Sequence, residues 1–235
     1  MEGVCDATST SHFDKRGPRN DDSLARIKGS WRSGREQMTA ATSAMARFLS
    51  QLRAITARTE EPRVIVAQAS PLVRDFALSK TWLEVKHYDC NVEQGFGAHL
   101  LHEEPHHTLA IFAGSWLPRR GAPPHNHGTW AVVAGVDGAE RNTFWVRVDD
   151  GVRPGYAEIR RQREQLLGPG DVVTFQPDSI HSVINETAQV TVSLHVYGKH
   201  VNYTNRSQFD PERKSARAFI VKVDDDSARL SRGLP

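Results

Sequence analysis

The sequence has few cysteines and almost no excess of charge. Its 235 residues include two cysteines, Cys5 and Cys90, too few for a disulfide framework and consistent with a reducing cytoplasm. Lys and Arg together number 30 and Asp and Glu 28, so the formal net charge is +2. Proteins that bind nucleic acid usually carry a strongly basic surface, so we expect no nucleic-acid partner.

The sequence also lacks long apolar runs. No stretch approaches the roughly 20 apolar residues needed to span a bilayer, and the N-terminal stretch MEGVCDATSTSHFDKRGPRNDD lacks the apolar segment of a signal peptide. We therefore expect a cytoplasmic protein without a membrane partner. The length allows one large domain or two small ones, with enough chain to bury a substantial core.

The first part of the chain is polar and then helical in pattern. Residues 1–33 contain few large apolar side chains and are expected to form a flexible tail. Residues 34–97 form a predicted helical layer, because apolar residues recur at spacings of three and four between Met38 and Ile55. A second helix is predicted in SPLVRDFALS, with Ser70 as its cap and Pro71 at its first position.

The sequence pattern of residues 98–225 is that of a β-barrel. Short runs rich in Val, Thr and aromatic residues alternate with Gly, Pro, Asp and Asn: TLAIFAGSW, TWAVVAGV, RNTFWVRV, DVVTFQP, HSVINE, QVTVSLHVYG and FIVKV. Short strand-like runs separated by turn-forming residues are typical of an antiparallel barrel or sandwich. The sequence therefore predicts a mainly β protein with an N-terminal helical layer, followed by a short C-terminal tail at 226–235.

The stretch PPHNHGTW places two histidines in what reads as the entry to a strand. Side chains two residues apart lie on one side of a strand, so His125 and His127 would converge while Asn126 faces away. A metal ion would explain the convergence but needs a third ligand. The best candidate is His181, which opens a predicted strand in GDVVTFQPDSIHSVIN.

These two stretches resemble the metal motifs of the cupin superfamily. The first cupin motif holds a His-x-His pair, here His125 and His127. The second holds a Gly, a Pro, a His and an Asn, here Gly170, Pro177, His181 and Asn185. The resemblance implies a double-stranded β-helix, or jelly-roll, barrel. Many cupins add a glutamate three or four residues after the pair, where this chain has Trp130 and Ala131.

A three-histidine set without a carboxylate is similar to that of the cupin thiol dioxygenases. The stretch SLHVYG strengthens this resemblance, since Ser193, His195 and Tyr197 match the outer-sphere triad of cysteine dioxygenase and 3-mercaptopropionate dioxygenase. The resemblance spans about residues 62–210. It implies an Fe(II) cofactor bound by the three histidines, with Tyr197 in the catalytic triad held by His195 and His195 held by Ser193.

The implied reaction adds both atoms of O₂ to a small thiol and yields a sulfinate. A site of three neutral histidines carries less negative charge than one with a carboxylate, and a thiolate substrate restores that charge. The substrate carboxylate needs a cation, and the resemblance to the bacterial mercaptopropionate enzymes assigns this role to Arg206. It favours 3-mercaptopropionate or a related mercaptocarboxylate, with cysteine as the alternative substrate.

Other interpretations of the same residues stay open. A three-histidine site with an open position also suits zinc and an activated water, as in a hydrolase or lyase, and some cupins only bind ligands. His99, His102, His106 and His107 form a cluster that we interpret as a solvated loop rather than a second metal site. We expect a monomer or a small homo-oligomer whose partners are a small thiol and O₂.

Overall fold

A computed structural model describes residues 41–225. The tails expected at 1–33 and 226–235 therefore lie outside the described residues. Two helices precede the strands. Helix α1 occupies residues 41–56 and α2 is Pro62–Ser79. Neither of these helices is long and apolar enough to cross a bilayer.

Helix α2 begins earlier than the sequence pattern predicts. Glu61 caps it by accepting a hydrogen bond from the Arg63 N–H, and Pro62 occupies the first turn, where a missing N–H costs nothing. The prediction that Ser70 and Pro71 start this helix is wrong. Ser70 instead donates its hydroxyl proton to the Val66 carbonyl, 2.6 Å away and one turn back, and Pro71 lies inside the helix.

Within residues 41–225 the helices are followed by twelve strands in two six-stranded sheets. They are β1 Phe96–Glu103, β2 Thr108–Trp116, β3 Gly121–His125, β4 Ala131–Asp137, β5 Glu140–Arg147, β6 Ile159–Leu167, β7 Val172–Phe175, β8 Ile180–Ile184, β9 Thr191–Lys199, β10 Ser207–Asp210, β11 Ser215–Ala218 and β12 Asp224–Asp225. The helix-side sheet has the order β12-β1-β2-β9-β4-β7, and the opposite sheet has the order β11-β10-β3-β8-β5-β6. Neighbouring strands pair antiparallel, except β1 and β12.

The helix-side sheet is buried on both faces. Along β9, Val192, Leu194 and Val196 pack in the same apolar cluster as residues of α1 and α2. The intervening residues of β9 therefore face the barrel interior, where Tyr197 packs in a second apolar cluster with residues of both sheets. The predicted fold, a mainly β jelly-roll barrel with an N-terminal helical layer, is confirmed.

Several segments differ from the prediction. β6 has no counterpart among the predicted strands, and the middle of this strand is exposed while Ile159 and Leu167 at its ends are buried. β1, β10, β11 and β12 were also not predicted as strands. FIVKV, residues 219–223, forms no strand. Phe219 and Val221 in it are nonetheless buried in the barrel interior, so the apolar pattern reports burial there rather than sheet pairing. The barrel also begins slightly before residue 98, at Phe96.

Candidate metal centre and its cavity

The structure brings His125, His127 and His181 together inside the barrel. His125 ends β3 and lies directly opposite His181 of β8 in the sheet register. One ring nitrogen of each histidine lies within 4.8 Å of the others, and all three side chains are buried. Within residues 41–225 it is the one group of three or more potential metal-binding residues whose ligand atoms all lie this close together.

Strand alternation does not by itself produce this convergence, because His127 lies beyond the end of β3. The turn that follows is held by Asn126, whose N–H donates to the Ser207 carbonyl at 3.1 Å and whose Oδ1 accepts from the Ser207 N–H at 2.8 Å. The Gly128 N–H donates to the Pro177 carbonyl at 3.0 Å. Asn126 does face away from the histidines, and there it ties the turn to β10.

The histidines present nitrogen lone pairs rather than protons. His125 Nδ1 donates to the Pro123 carbonyl at 2.8 Å, and His181 Nδ1 donates to Asn142 Oδ1 at 2.9 Å. These bonds leave the Nε2 atom of each ring as the free nitrogen. His181 Nε2 and His127 Nδ1 are buried without a hydrogen-bond partner among the described residues.

Burial keeps these rings neutral. It lowers the pKa of His125 to about 3, and the nearby Arg206 charge adds to this effect. Burial likewise holds the pKa values of His127 and His181 well below the ordinary value. Three neutral imidazoles that converge, two of them with buried unpaired nitrogens, fit a transition-metal ion, which neutral imidazole lone pairs commonly bind.

Ser193, His195 and Tyr197 form a hydrogen-bonded chain on the inner face of β9. His195 Nδ1 lies 2.9 Å from the Tyr197 hydroxyl oxygen, and His195 Nε2 lies 2.9 Å from Ser193 Oγ. The Tyr197 ring centre lies 5.3 Å from that of His127. Gly114 of β2 makes room for this chain, because a Cβ atom there would lie 2.6 Å from His195 Nε2.

Arg206 is buried just before β10, with 4% of its surface exposed. Its Nε–H donates to the Phe219 carbonyl at 3.0 Å, and its guanidinium carbon lies 4.5 Å from the centre of the Phe219 ring. Nη2 has no hydrogen-bond partner among the described residues. Burial lowers the Arg206 pKa to about 10, so the side chain is still charged at neutral pH.

Most of these groups, though not His127 or Ser193, line one small cavity of about 50 Å³. Its polar lining comes from His125, His181, His195, Tyr197 and Arg206, and the rest is largely apolar, including Phe112 and Trp116. Arg206 is the charged residue of this lining, and no carboxylate of the described chain contributes to it. The cavity therefore offers neutral metal ligands and one cation to a ligand of a few non-hydrogen atoms.

The other histidine cluster is dispersed. His99 is buried in β1, where its Nε2 lies 2.9 Å from the Asp89 carbonyl oxygen. His102 is also in β1 and pairs with Glu104, whereas His106 and His107 lie in a short turn before β2. The interpretation as a solvated loop is thus wrong for the two residues that belong to the strand.

Two buried polar residues of β5 were missed by the sequence reasoning. Asn142 orients His181, and Glu140 Oε2 lies 3.2 Å from Ser193 Oγ. Both residues lie on one side of the strand, together with the buried Phe144. The signal for them was the alternation of Glu140, Asn142 and Phe144 in the run ERNTF, with two polar residues at inward positions.

No model of a known protein family matches the chain. Among solved structures, it is similar to a conserved protein with a double-stranded β-helix domain from Klebsiella pneumoniae, at 12% identity over 54% of this chain and 88% of that one, with a TM-score of 0.39. A cupin-superfamily protein from Desulfitobacterium hafniense is similar at 14% identity over 45% and 78%, with a TM-score of 0.34.

An oxalate oxidase in complex with the substrate analogue glycolate is similar at 13% identity, with a TM-score of 0.38. The match covers 50% of this chain and 59% of the oxalate oxidase. At these identities and TM-scores the chemistry of this chain has to be argued from its own residues.

Proposed function

We propose that this protein is an Fe(II)-dependent thiol dioxygenase of the cytoplasm that converts a small mercaptocarboxylate to its sulfinate. One observation carries the proposal. Two of the three clustered imidazoles, those of His125 and His181, line the same cavity as a single buried arginine. A metal ligand set and a carboxylate-binding group therefore open on the same small space.

His125, His127 and His181 would hold the iron. When bound, ferrous iron supplies the redox chemistry that joins a thiol sulfur to dioxygen. The histidines contribute no negative charge, and the described cavity lining contains no carboxylate. An anionic thiolate is therefore the form of substrate that best balances the charge of the site.

Arg206 selects for a carboxylate on the substrate. Its guanidinium is buried and one of its nitrogens is unpaired, so a carboxylate would gain a charge-assisted hydrogen bond there. The ammonium group of cysteine would find no acidic partner in the cavity lining and would pay a desolvation penalty. This contrast favours 3-mercaptopropionate or a similar mercaptocarboxylate over cysteine.

Tyr197 serves as the proton-bearing group next to the metal ligands. Burial raises its pKa above the ordinary value, so its hydroxyl stays protonated at neutral pH. His195 fixes the position of the hydroxyl through a hydrogen bond of 2.9 Å. Tyr197 therefore donates a hydrogen bond to the ligand that occupies the cavity.

Oxygen uptake by the ferrous protein tests the proposal. Four compounds isolate the chemical requirements: 3-mercaptopropionate, propanethiol without the carboxylate, cysteine with an added ammonium, and 3-hydroxypropionate without the thiol. We expect uptake to be fastest with 3-mercaptopropionate and absent with 3-hydroxypropionate, and both atoms of ¹⁸O₂ should appear in the sulfinate. Zinc retention without oxygen uptake would favour a hydrolase or lyase, and ligand binding without turnover a binding protein.

Replacing Arg206 tests the carboxylate site separately. Arg206→Met should raise KM for 3-mercaptopropionate roughly 10- to 150-fold, the equivalent of about 1.5–3 kcal/mol, and should barely affect propanethiol. Arg141→Met is the matched control, because Arg141 pairs with Glu186 at the protein surface. An unchanged KM in Arg206→Met would show that another group binds the carboxylate.

A further inference from the structure

The hydrogen-bonded chain on β9 continues to a buried carboxyl group on β5. Ser193 Oγ lies 2.9 Å from His195 Nε2, 3.2 Å from Glu140 Oε2 and 3.2 Å from Trp116 Nε1. Glu140 is 2% exposed. The chain thus runs from the cavity through Tyr197, His195 and Ser193 to a carboxyl group that the proposed reaction has not used.

The three neighbours of Ser193 restrict how its hydroxyl can bond. A hydroxyl has one proton and two lone pairs, and an indole N–H can only donate. Trp116 therefore occupies one lone pair of Ser193 Oγ. With one proton and one lone pair remaining, Ser193 must donate to either His195 or Glu140 and accept from the other. The two hydrogen bonds are mutually dependent.

The protonation of Glu140 then sets the tautomer of His195. If Glu140 is neutral and carries its proton on Oε2, the oxygen that lies next to Ser193 Oγ, it donates to Ser193, Ser193 donates to His195 Nε2, and His195 Nδ1–H donates to the Tyr197 oxygen. The Tyr197 proton is then free to point into the cavity. If Glu140 loses its proton, Ser193 donates to the carboxylate, His195 carries its proton on Nε2, and Tyr197 donates to His195 Nδ1.

Several observations favour the neutral form. Glu140 Oε1 has no hydrogen-bond partner among the described residues, so an anion there would be buried and half satisfied, which is costly. Burial raises the Glu140 pKa to about 8, although interactions with Ser193 and Asn142 act to lower it. The titratable and charged groups linked to this network are His195 and Tyr197 of β9, His181 reached through Asn142, and Arg206, whose charge acts on Tyr197.

We propose that Glu140 is a positioning residue whose bound proton holds His195 in the Nδ1–H tautomer and thereby directs the Tyr197 hydroxyl proton into the cavity. This deepens the proposed function, which needs Tyr197 as a donor to the bound ligand. Deprotonation of Glu140 removes one proton from the network and turns Tyr197 from a donor into an acceptor on the cavity side.

The tautomer of His195 can be measured without catalysis. In the full-length protein with ¹⁵N-labelled histidine, metal-free and zinc-loaded, His195 should show a protonated Nδ1 and an unprotonated Nε2 at about pH 6. The two nitrogens should exchange these roles as the pH passes through the Glu140 pKa of about 8. The infrared carbonyl band of a protonated carboxylic acid should disappear over the same range.

Three variants separate the steps. Glu140→Met removes the acceptor for the Ser193 proton, so His195 should stay in the Nδ1–H tautomer at every pH. Glu140→Gln cannot ionise and Ser193→Ala cuts the chain, so neither should show the pH-dependent exchange. Glu186→Gln, a change at an exposed surface ion pair, is the control. In this variant the His195 tautomer should change with pH as it does in the wild type.

The outcomes distinguish this inference from the proposed function. The role of Glu140 would be overturned if His195 carried its proton on Nε2 at about pH 6. It would also be overturned if the His195 tautomer did not change while the carboxylic acid band disappeared. Both results would count against Glu140 even if thiols are oxidised. A tautomer exchange that follows Glu140 supports the role even if no thiol consumes oxygen. In an active enzyme, turnover should fall above about pH 8 in the wild type and not in Glu140→Met.

Discussion

The two sheets contribute different kinds of polar groups to the same cavity. The opposite sheet, with the turn after β3, supplies three imidazoles, and two of their nitrogens are buried without a partner. The helix-side sheet supplies Tyr197, His195 and Ser193, whose polar atoms bond to one another and to Trp116. The imidazoles can accept a ligand atom, and we call them the open side of the cavity. Ser193, His195 and Tyr197 bond mainly to one another and to their protein neighbours, and we call them the satisfied side.

This difference shows that the two sheets of one barrel can have separate roles in a site, one binding a ligand and the other orienting polar groups. Unpaired buried nitrogens cost free energy until something binds them, so the opposite sheet is built to take up a ligand. A saturated network fixes the direction of its groups and favours one arrangement. The helix-side sheet can hold such a network rigidly because α1 and α2 cover its outer face.

Removing a ligand from the open side should have the largest effect. His181→Ala eliminates one of three converging nitrogens, and we expect iron binding to weaken by more than the roughly 100-fold that loss of a ligand-orienting residue costs. Metal analysis and calorimetric titration with Fe(II) measure this effect. His99→Leu is the control, since His99 is buried elsewhere in the barrel. Full iron occupancy in His181→Ala would contradict the assignment.

Removing the support of a ligand should have the next largest effect. Asn142→Leu leaves His181 Nδ1–H without its acceptor, and we expect metal affinity to fall about 10- to 100-fold while the ligand set is intact. Thr143→Val is the matched control on the same strand, because Thr143 bonds outward to Glu164. Equal affinities in the two variants would show that Asn142 does not orient His181.

A steric change can disturb the satisfied side alone. In Gly114→Ala the new methyl group would lie 2.6 Å from His195 Nε2, so the ring must shift and its bond to Ser193 must lengthen. We expect a loss of about 1–3 kcal/mol in the free energy of unfolding with metal affinity unchanged. Gly168→Ala, where the nearest atom would be a side-chain oxygen at 3.5 Å, is the control in denaturant titrations. Equal stability of the two variants would mean that the network tolerates displacement.

The sequence predicts the open side better than the satisfied side. The three histidines belong to two short motifs, so they can be recognised without the fold. Ser193, His195 and Tyr197 follow from alternation along one strand, because Val192, Leu194 and Val196 between them are apolar. The network beyond them does not follow, since Glu140 falls just before the predicted run RNTFWVRV.

Long-range contacts explain the other differences. The exposed edge strand β6 is rich in Arg, Gln and Glu and buries only its two ends, so it lacks the alternation that marks a strand. The burial of Arg206 depends on Phe219 and on Asn126, which holds the neighbouring Ser207. These partners are distant in sequence and carry no local pattern.

The last prediction uses pH to separate the buried histidines from Glu140. Burial lowers the pKa values of His125 and His195 to about 3, so between pH 6.5 and about 5 the unfolded chain binds more protons and the metal-free protein loses stability as the pH falls. Glu140 acts in the opposite sense. Its pKa is raised to about 8, so the folded protein binds more protons between about pH 4.5 and 8 and loses stability as the pH rises.

Above about pH 6.5 the histidines are neutral in both states, and the Glu140 effect should remain alone at up to about 1.4 kcal/mol per pH unit. Urea titrations of the metal-free protein from pH 5 to 8 should therefore show a maximum in the free energy of unfolding. Glu140→Gln should abolish the decline on the alkaline side and retain the decline on the acid side, because the histidines are unchanged. An alkaline decline that survives in Glu140→Gln would assign it to another group and would mean that Glu140 is already ionised in the folded protein.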